Sequence, residues 1–214
     1  MNVSSIALIV VDMQNDFADP RGSLYVPGAE QVFTRLNAAI DRARSVGALV
    51  VYTQDWHPPS TPHFKKDGGI WPVHCVQNSW GAHLHESILQ VPGESIRKGV
   101  GGEDGYSAFS FRDPVSGKIG ETGLERLLRS RGVRDVVVGG LALDYCVKET
   151  ALDALRKGFG TTVLVDATRP VELQPGDGER SLDELRRHGA RLATVDAELS
   201  SVSELPSALS SLPR

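Results

Sequence analysis

Short apolar runs that alternate with helical stripes leave this chain few folds to choose from. Ile6-Ala7-Leu8-Ile9-Val10-Val11 has no polar position and stops at Asp12, as a strand buried on both faces reads. Gly28 to Val46 then carries Val32, Leu36, Ile40 and Ala43 on one stripe, with Gly47 as a helix stop. Ala48 to Tyr52 reads as a second strand leading to Asp55, and Ser95 to Lys98 as a short third. Leu124, Leu127 and Leu128 mark a helix ending at Gly132, and the run from Val136 is the next strand. Thr161 to Val165, a helix from Ser181 to His188 and a strand from Ala190 to Val195 complete the series. Strand and helix in alternation imply right-handed crossovers. The expected class is α/β: three α/β/α layers around an open, mainly parallel sheet of about six strands. No repeat or linker composition divides the chain, so residues 1–214 read as one domain. The serine- and leucine-rich tail from Ser200 to Arg214 receives no element.

Bulk properties narrow the function. A formal charge of −4 argues against a nucleic-acid partner or an anionic membrane surface, both of which call for a basic face. Cys75 and Cys146 are the two cysteines, too few for a disulfide framework. The N-terminal apolar run is too short for a signal-peptide core or a membrane span. A cytoplasmic, enzyme-sized protein is expected, as a monomer or a homo-oligomer.

The rhythm breaks between Trp56 and Leu89, a connection too long to be a simple loop. All three tryptophans lie in it, with His57, His63, His74, His83 and His85. Asp55 and His57 are two residues apart, on one side of an extended chain. With His63 and His74 they offer one oxygen and up to three nitrogen donors, a set suited to Zn, Fe or Mn. The alternative is a polar loop with unconnected histidines.

In an open α/β sheet, ligands bind outside the carboxyl ends of the strands. Asp12, Asp55, Lys98 and Cys146 all fall at such ends, which would bring an acid/base, a cation and a nucleophile together. Two glycines open the turn before Cys146, and Asp144 reads as the N-cap of the helix that follows. In the first turn of that helix, the dipole and free N–H groups are expected to lower the thiol pKa. The alternative is an ordinary buried cysteine. Gly99 to Gly105 looks like a phosphate cradle but fails G-x-G-x-x-G at Asp104. It also carries two acids and follows no long strand, so a dinucleotide is not expected.

Five separated stretches resemble the nicotinamidases among the isochorismatase-like cysteine hydrolases. They are Val11 to Phe17, Thr53 to Pro58, Trp71 to Asn78, Lys98-Gly99 and Gly140 to Val147. The resemblance runs from Ala7 to about Val171 and implies a Rossmann-like topology. It implies a triad of Asp12, Lys98 and Cys146 that turns an amide into a thioester and then an acid. It implies an oxyanion hole from the N–H groups of Ala142 and Cys146, with a cis peptide before Ala142. It further implies one divalent transition metal (Zn, Fe or Mn) on Asp55, His57, His63 and His74, orienting a pyridine ring. The wall for that ring would be Phe17, Leu24, Trp71, Tyr106, Leu141 and Tyr145. The implied substrate is a small amide, nicotinamide, with pyrazinamide as an analogue. Leu143 departs from the threonine common at its place. His63 stands where many members have serine. Other readings are a related hydrolase acting on another small amide or ureido compound, and a non-catalytic metal-binding or sensor module.

Overall fold

A computed structural model describes residues 5–198. Six parallel strands form the central sheet, in the order β3-β2-β1-β6-β7-β8. They are β1 (Ile6–Val11), β2 (Leu49–Asp55), β3 (Glu94–Lys98), β6 (Asp135–Leu141), β7 (Gly160–Arg169) and β8 (Arg191–Ala193). A separate antiparallel pair, β4 (Ser110–Arg112) and β5 (Ile119–Glu121), lies outside it. The helices are α1 (Asn15–Ala18), α2 (Val32–Ser45), α3 (Leu124–Ser130), α4 (Lys148–Arg156) and α5 (Asp177–Arg187).

Why β1 needs an unbroken apolar run is visible in its packing. Leu8 and Val10 face the layer that holds Val32, Leu36 and Ile40 of α2. Ala7, Ile9 and Val11 face the layer that holds Leu124 and Leu128 of α3 and Ala151 and Leu152 of α4. Successive side chains point to opposite faces, so a strand between two helical layers has no position for a polar group. β1 also lies at the switch point, with β2 on one side and β6 on the other. The carboxyl ends of β1, β2, β3 and β6 therefore share one edge, where the expected site residues fall.

Several expected boundaries move. β2 ends at Asp55 as expected, whereas β7 continues through Arg169, β8 is shorter than the predicted strand, and β4, β5 and α1 were not foreseen. The Ser200 tail lies outside the described residues. No helix among the described residues is long and apolar enough to cross a membrane.

Gly140 shows how closely β6 approaches β1. Its φ is +120°, and a Cβ there would lie 2.1 Å from the Val11 carbonyl oxygen. Backbone cannot yield as a side-chain tip can. Gly140→Ala should lower the unfolding free energy by on the order of 2–4 kcal/mol. A denaturant midpoint measures this, and a loss below about 1 kcal/mol would contradict the packing described.

Candidate active site

Asp12 leaves β1 with φ +46°, a conformation unusual for a residue with a side chain. Thr53 of β2 holds it there. The Thr53 Oγ1 accepts the Asp12 N–H at 3.1 Å and donates to Asp12 Oδ1 at 2.6 Å. Lys98, the last residue of β3, is paired in register with Asp55 of β2 and is buried. Its Nζ donates to Asp12 Oδ2 at 2.7 Å and to the Tyr106 carbonyl at 3.1 Å. It also lies 2.9 Å from Asp55 Oδ1 and 3.4 Å from Cys146 Sγ. The structure thus brings together the acid, cation and thiol expected from the sequence.

These groups set one another's charge. Burial opposes the Lys98 ammonium, but Asp12 and Asp55 outweigh it and push its pKa well up, so the cation persists. Burial opposes the Asp55 carboxylate too. Lys98 and His57 outweigh it, holding Asp55 below the usual range. At Asp12 burial wins over Lys98, with Asp55 adding to it, and the pKa is raised. A carboxyl above its usual range is better matched to proton transfer near neutrality.

Cys146 corrects an expectation. Burial pushes its thiol well up, Lys98 pulls the other way, and Asp12 and Asp55 add to the rise. That rise outweighs the benefit expected from a helix start. Asp144 corrects another: it is not an N-cap. The chain makes a π-helical turn over Leu143–Val147 before α4, with Ala142 in the capping position. The Asp144 carboxylate instead accepts the N–H groups of Val171 at 2.8 Å and Glu172 at 3.0 Å. The Leu141–Ala142 peptide is cis. Leu143 is buried in the apolar layer beside Val147.

A second cluster adjoins the first. His57, His63 and His74 each offer a ring nitrogen, all within 4.8 Å of one another. Asp55 Oδ2 lies 3.8 Å from His57 Nε2 and 3.9 Å from His74 Nε2. Both ring nitrogens of His57 are buried with no hydrogen-bond partner. Such a group costs about 1–3 kcal/mol unless something binds it. His74 Nδ1 lies 2.7 Å from the Pro72 carbonyl and His63 Nδ1 2.9 Å from Asp104 Oδ1. Outer partners of this kind orient metal-binding imidazoles. Burial holds the His74 pKa down to about 4, which keeps the ring in the neutral form a metal requires. The donor set fits a divalent transition metal and suits zinc, iron or manganese alike. His83 and His85 stand apart: His83 lies near Trp56, and His85 stacks on Phe33 at 4.6 Å.

One cavity has both clusters in its wall, through Cys146, Asp55, His63 and His74. Phe17, Leu24, Trp71, Tyr106, Leu141 and Tyr145 all line it, as does Ala142. Trp71 Nε1 donates to the Tyr106 hydroxyl at 3.0 Å, and Tyr145 meets both rings edge-on. Burial pushes Tyr106 up to about 12, so its phenol stays neutral. Val26 and Val171 also line the cavity and were missed. Gln14 was missed as well. Its Oε1 accepts the Asp55 N–H and its Nε2 donates to the Asp55 carbonyl, fixing that residue from both sides.

Residues 6–197 match the isochorismatase domain. The chain is 37% identical over 206 residues to the nicotinamidase of Escherichia coli (strain K12), covering 88% of this chain and 94% of that one. The crystal structure of pyrazinamidase of Pyrococcus horikoshii in complex with zinc is similar, with a TM-score of 0.79 and 39% identity over 89% of this chain and 99% of that one. A crystal structure from L. infantum in complex with nicotinate has a TM-score of 0.80 and 40% identity, covering 92% of this chain and 97% of that one.

Proposed function

The chain belongs to the isochorismatase family, and from that premise we propose that its single domain is a nicotinamidase. It hydrolyses nicotinamide to nicotinate and ammonia, a step of NAD salvage, and takes pyrazinamide as an analogue. The observation that carries this reading is the shared cavity, whose wall holds the Cys146 thiol beside Asp55, His63 and His74, with Lys98 in contact with both Cys146 and Asp12.

In the proposed sequence, Asp12 takes the Cys146 proton as Sγ attacks the carboxamide carbon. Lys98 stabilises the negative charge that develops on sulfur and keeps Asp12 aligned. The N–H groups of Ala142 and Cys146 would donate to the tetrahedral oxyanion, an interaction worth on the order of 10²–10³ in rate per donor. Asp12 then gives its proton to the departing nitrogen, and ammonia leaves a thioester behind. Water, giving a proton to Asp12, attacks that thioester, and nicotinate departs as Cys146 regains its proton. Trp71, Tyr106 and Phe17 hold the ring. Asp55, His57, His63 and His74 would hold the metal, which when bound supplies an electrophile for the pyridine nitrogen. A cytoplasmic location fits a chain whose nucleophilic thiol must stay reduced.

The test is release of ammonia and nicotinate from nicotinamide by the metal-loaded protein, after chelation and after metal add-back. Chelation should remove most turnover and add-back restore it. Benzamide, which lacks the ring nitrogen, should be a poor substrate in all three states. His57→Ala and His74→Ala should each lower kcat/KM for nicotinamide by at least about 10–100-fold. Unchanged turnover in both variants would defeat the ring-nitrogen role, and no turnover by the loaded wild type would defeat the function.

A further inference from the structure

The glycine-rich segment after Lys98, which fails as a phosphate cradle, faces the imidazole cluster instead. Its two acids differ in what they meet. Glu103 turns back on its own loop, accepting the Gly101 N–H at 2.7 Å. Asp104 is half-exposed and turns toward the imidazoles, with Oδ1 2.9 Å from His63 Nδ1 and also accepting the Gly105 N–H at 2.9 Å. His63 is well buried, its side chain 8% exposed.

Asp104 is itself held in place. Its backbone exchanges both hydrogen bonds with Arg112, the last residue of β4. The loop is also tied to the histidine-bearing connection. Thr61 Oγ1 donates to the Gly102 carbonyl at 3.0 Å, and Gln77 Nε2 donates to the Val100 carbonyl at 2.7 Å. Gly99 lies so close to His57 that a Cβ there would fall 2.5 Å from Nδ1.

We infer that Asp104 is a positioning residue for the metal: by accepting the Nδ1–H of His63 it fixes the tautomer that turns Nε2 toward the ion. His63 thereby serves as a direct ligand. A carboxylate on the far nitrogen also makes an imidazole a stronger donor. The same loop continues into Tyr106, whose carbonyl accepts from Lys98 and whose hydroxyl accepts from Trp71. The carboxylate beside His63, the ring wall and the triad lysine thus share one segment. The inference rests on the proposed metal site and adds to it a residue outside the ligand set.

Zinc affinity of the metal-free protein, measured by competition with a chromophoric chelator, is the test. Asp104→Ala should weaken Zn²⁺ binding by about 10–100-fold, in the range found for such outer partners. Asp104→Asn keeps an acceptor oxygen and should lose less. In a His63→Ala background, Asp104→Ala should cause no further loss, because its effect runs through that ring. The visible spectrum of the Co²⁺-substituted protein should change in Asp104→Ala, which general loosening of a distant loop would not produce. Unchanged Zn²⁺ affinity in Asp104→Ala overturns the inference, and so does an equal loss in the His63→Ala background. A wild-type protein that takes up no stoichiometric Zn²⁺ would instead refute the metal site itself.

Discussion

Cys146→Ala should lower ammonia release from nicotinamide by on the order of 10⁴–10⁶, as loss of a covalent nucleophile does elsewhere. The residual rate would come from binding and the oxyanion donors alone. The thiol is 3.4 Å from Lys98 Nζ, but Cys146 is outside the histidine cluster. The variant should therefore bind the same stoichiometry of metal as the wild type. Steady-state kinetics beside a metal determination separates the two effects. Turnover within tenfold of wild type would end the covalent mechanism. Loss of metal along with activity would mean that Cys146, whose Sγ lies within 4.8 Å of a carboxylate oxygen of Asp55, is itself a metal ligand.

Lys98→Met should be the most damaging substitution for stability. The ammonium lies 2.7 Å from one buried carboxylate and 2.9 Å from another. Removing one partner of a buried pair leaves an uncompensated charge and costs about 3–5 kcal/mol. An exposed pair such as Arg129–Glu125, at 2.9 Å, provides the contrast: Arg129→Met should cost no more than about 0.5 kcal/mol. Adding Asp12→Asn to Lys98→Met should recover part of the loss, because one of the stranded charges is then gone. Denaturant unfolding of the metal-free wild type and the three variants reads these values. A Lys98→Met loss below about 1 kcal/mol would mean that the cluster is far better hydrated than its burial indicates.

Much of this arrangement was legible in the sequence because strand burial and strand ends are local properties. β1 reads as buried on both faces because Leu8 and Val10 serve one layer and Ala7, Ile9 and Val11 the other. Once the strands are placed, parallel pairing alone brings Asp12, Asp55, Lys98 and Cys146 to one edge. What depends on distant chain was not legible. Asp144 has the spacing of an N-cap, but its carboxylate is taken by Val171 and Glu172, 27 and 28 residues onward. Val171 itself follows a strand longer than its apolar run, so nothing local marks it as cavity wall. The thiol pKa was misjudged for a similar reason. A helix start is visible in sequence, whereas full burial beside two carboxylates is not. Asp104 was dismissed with the loop that carries it, since its partner His63 lies 41 residues earlier.

The proposed reaction turns on a covalent bond between substrate and Cys146. Rapid acid quench of the metal-loaded enzyme with nicotinamide, followed by peptide mass spectrometry, addresses it directly. The expected result is a nicotinoyl thioester on the peptide carrying Cys146. Cys75, buried and with its thiol pushed well up by that burial, should carry none. Ammonia release at the full rate with no acyl group on Cys146 at any quench time, and with turnover retained in Cys146→Ala, would contradict it.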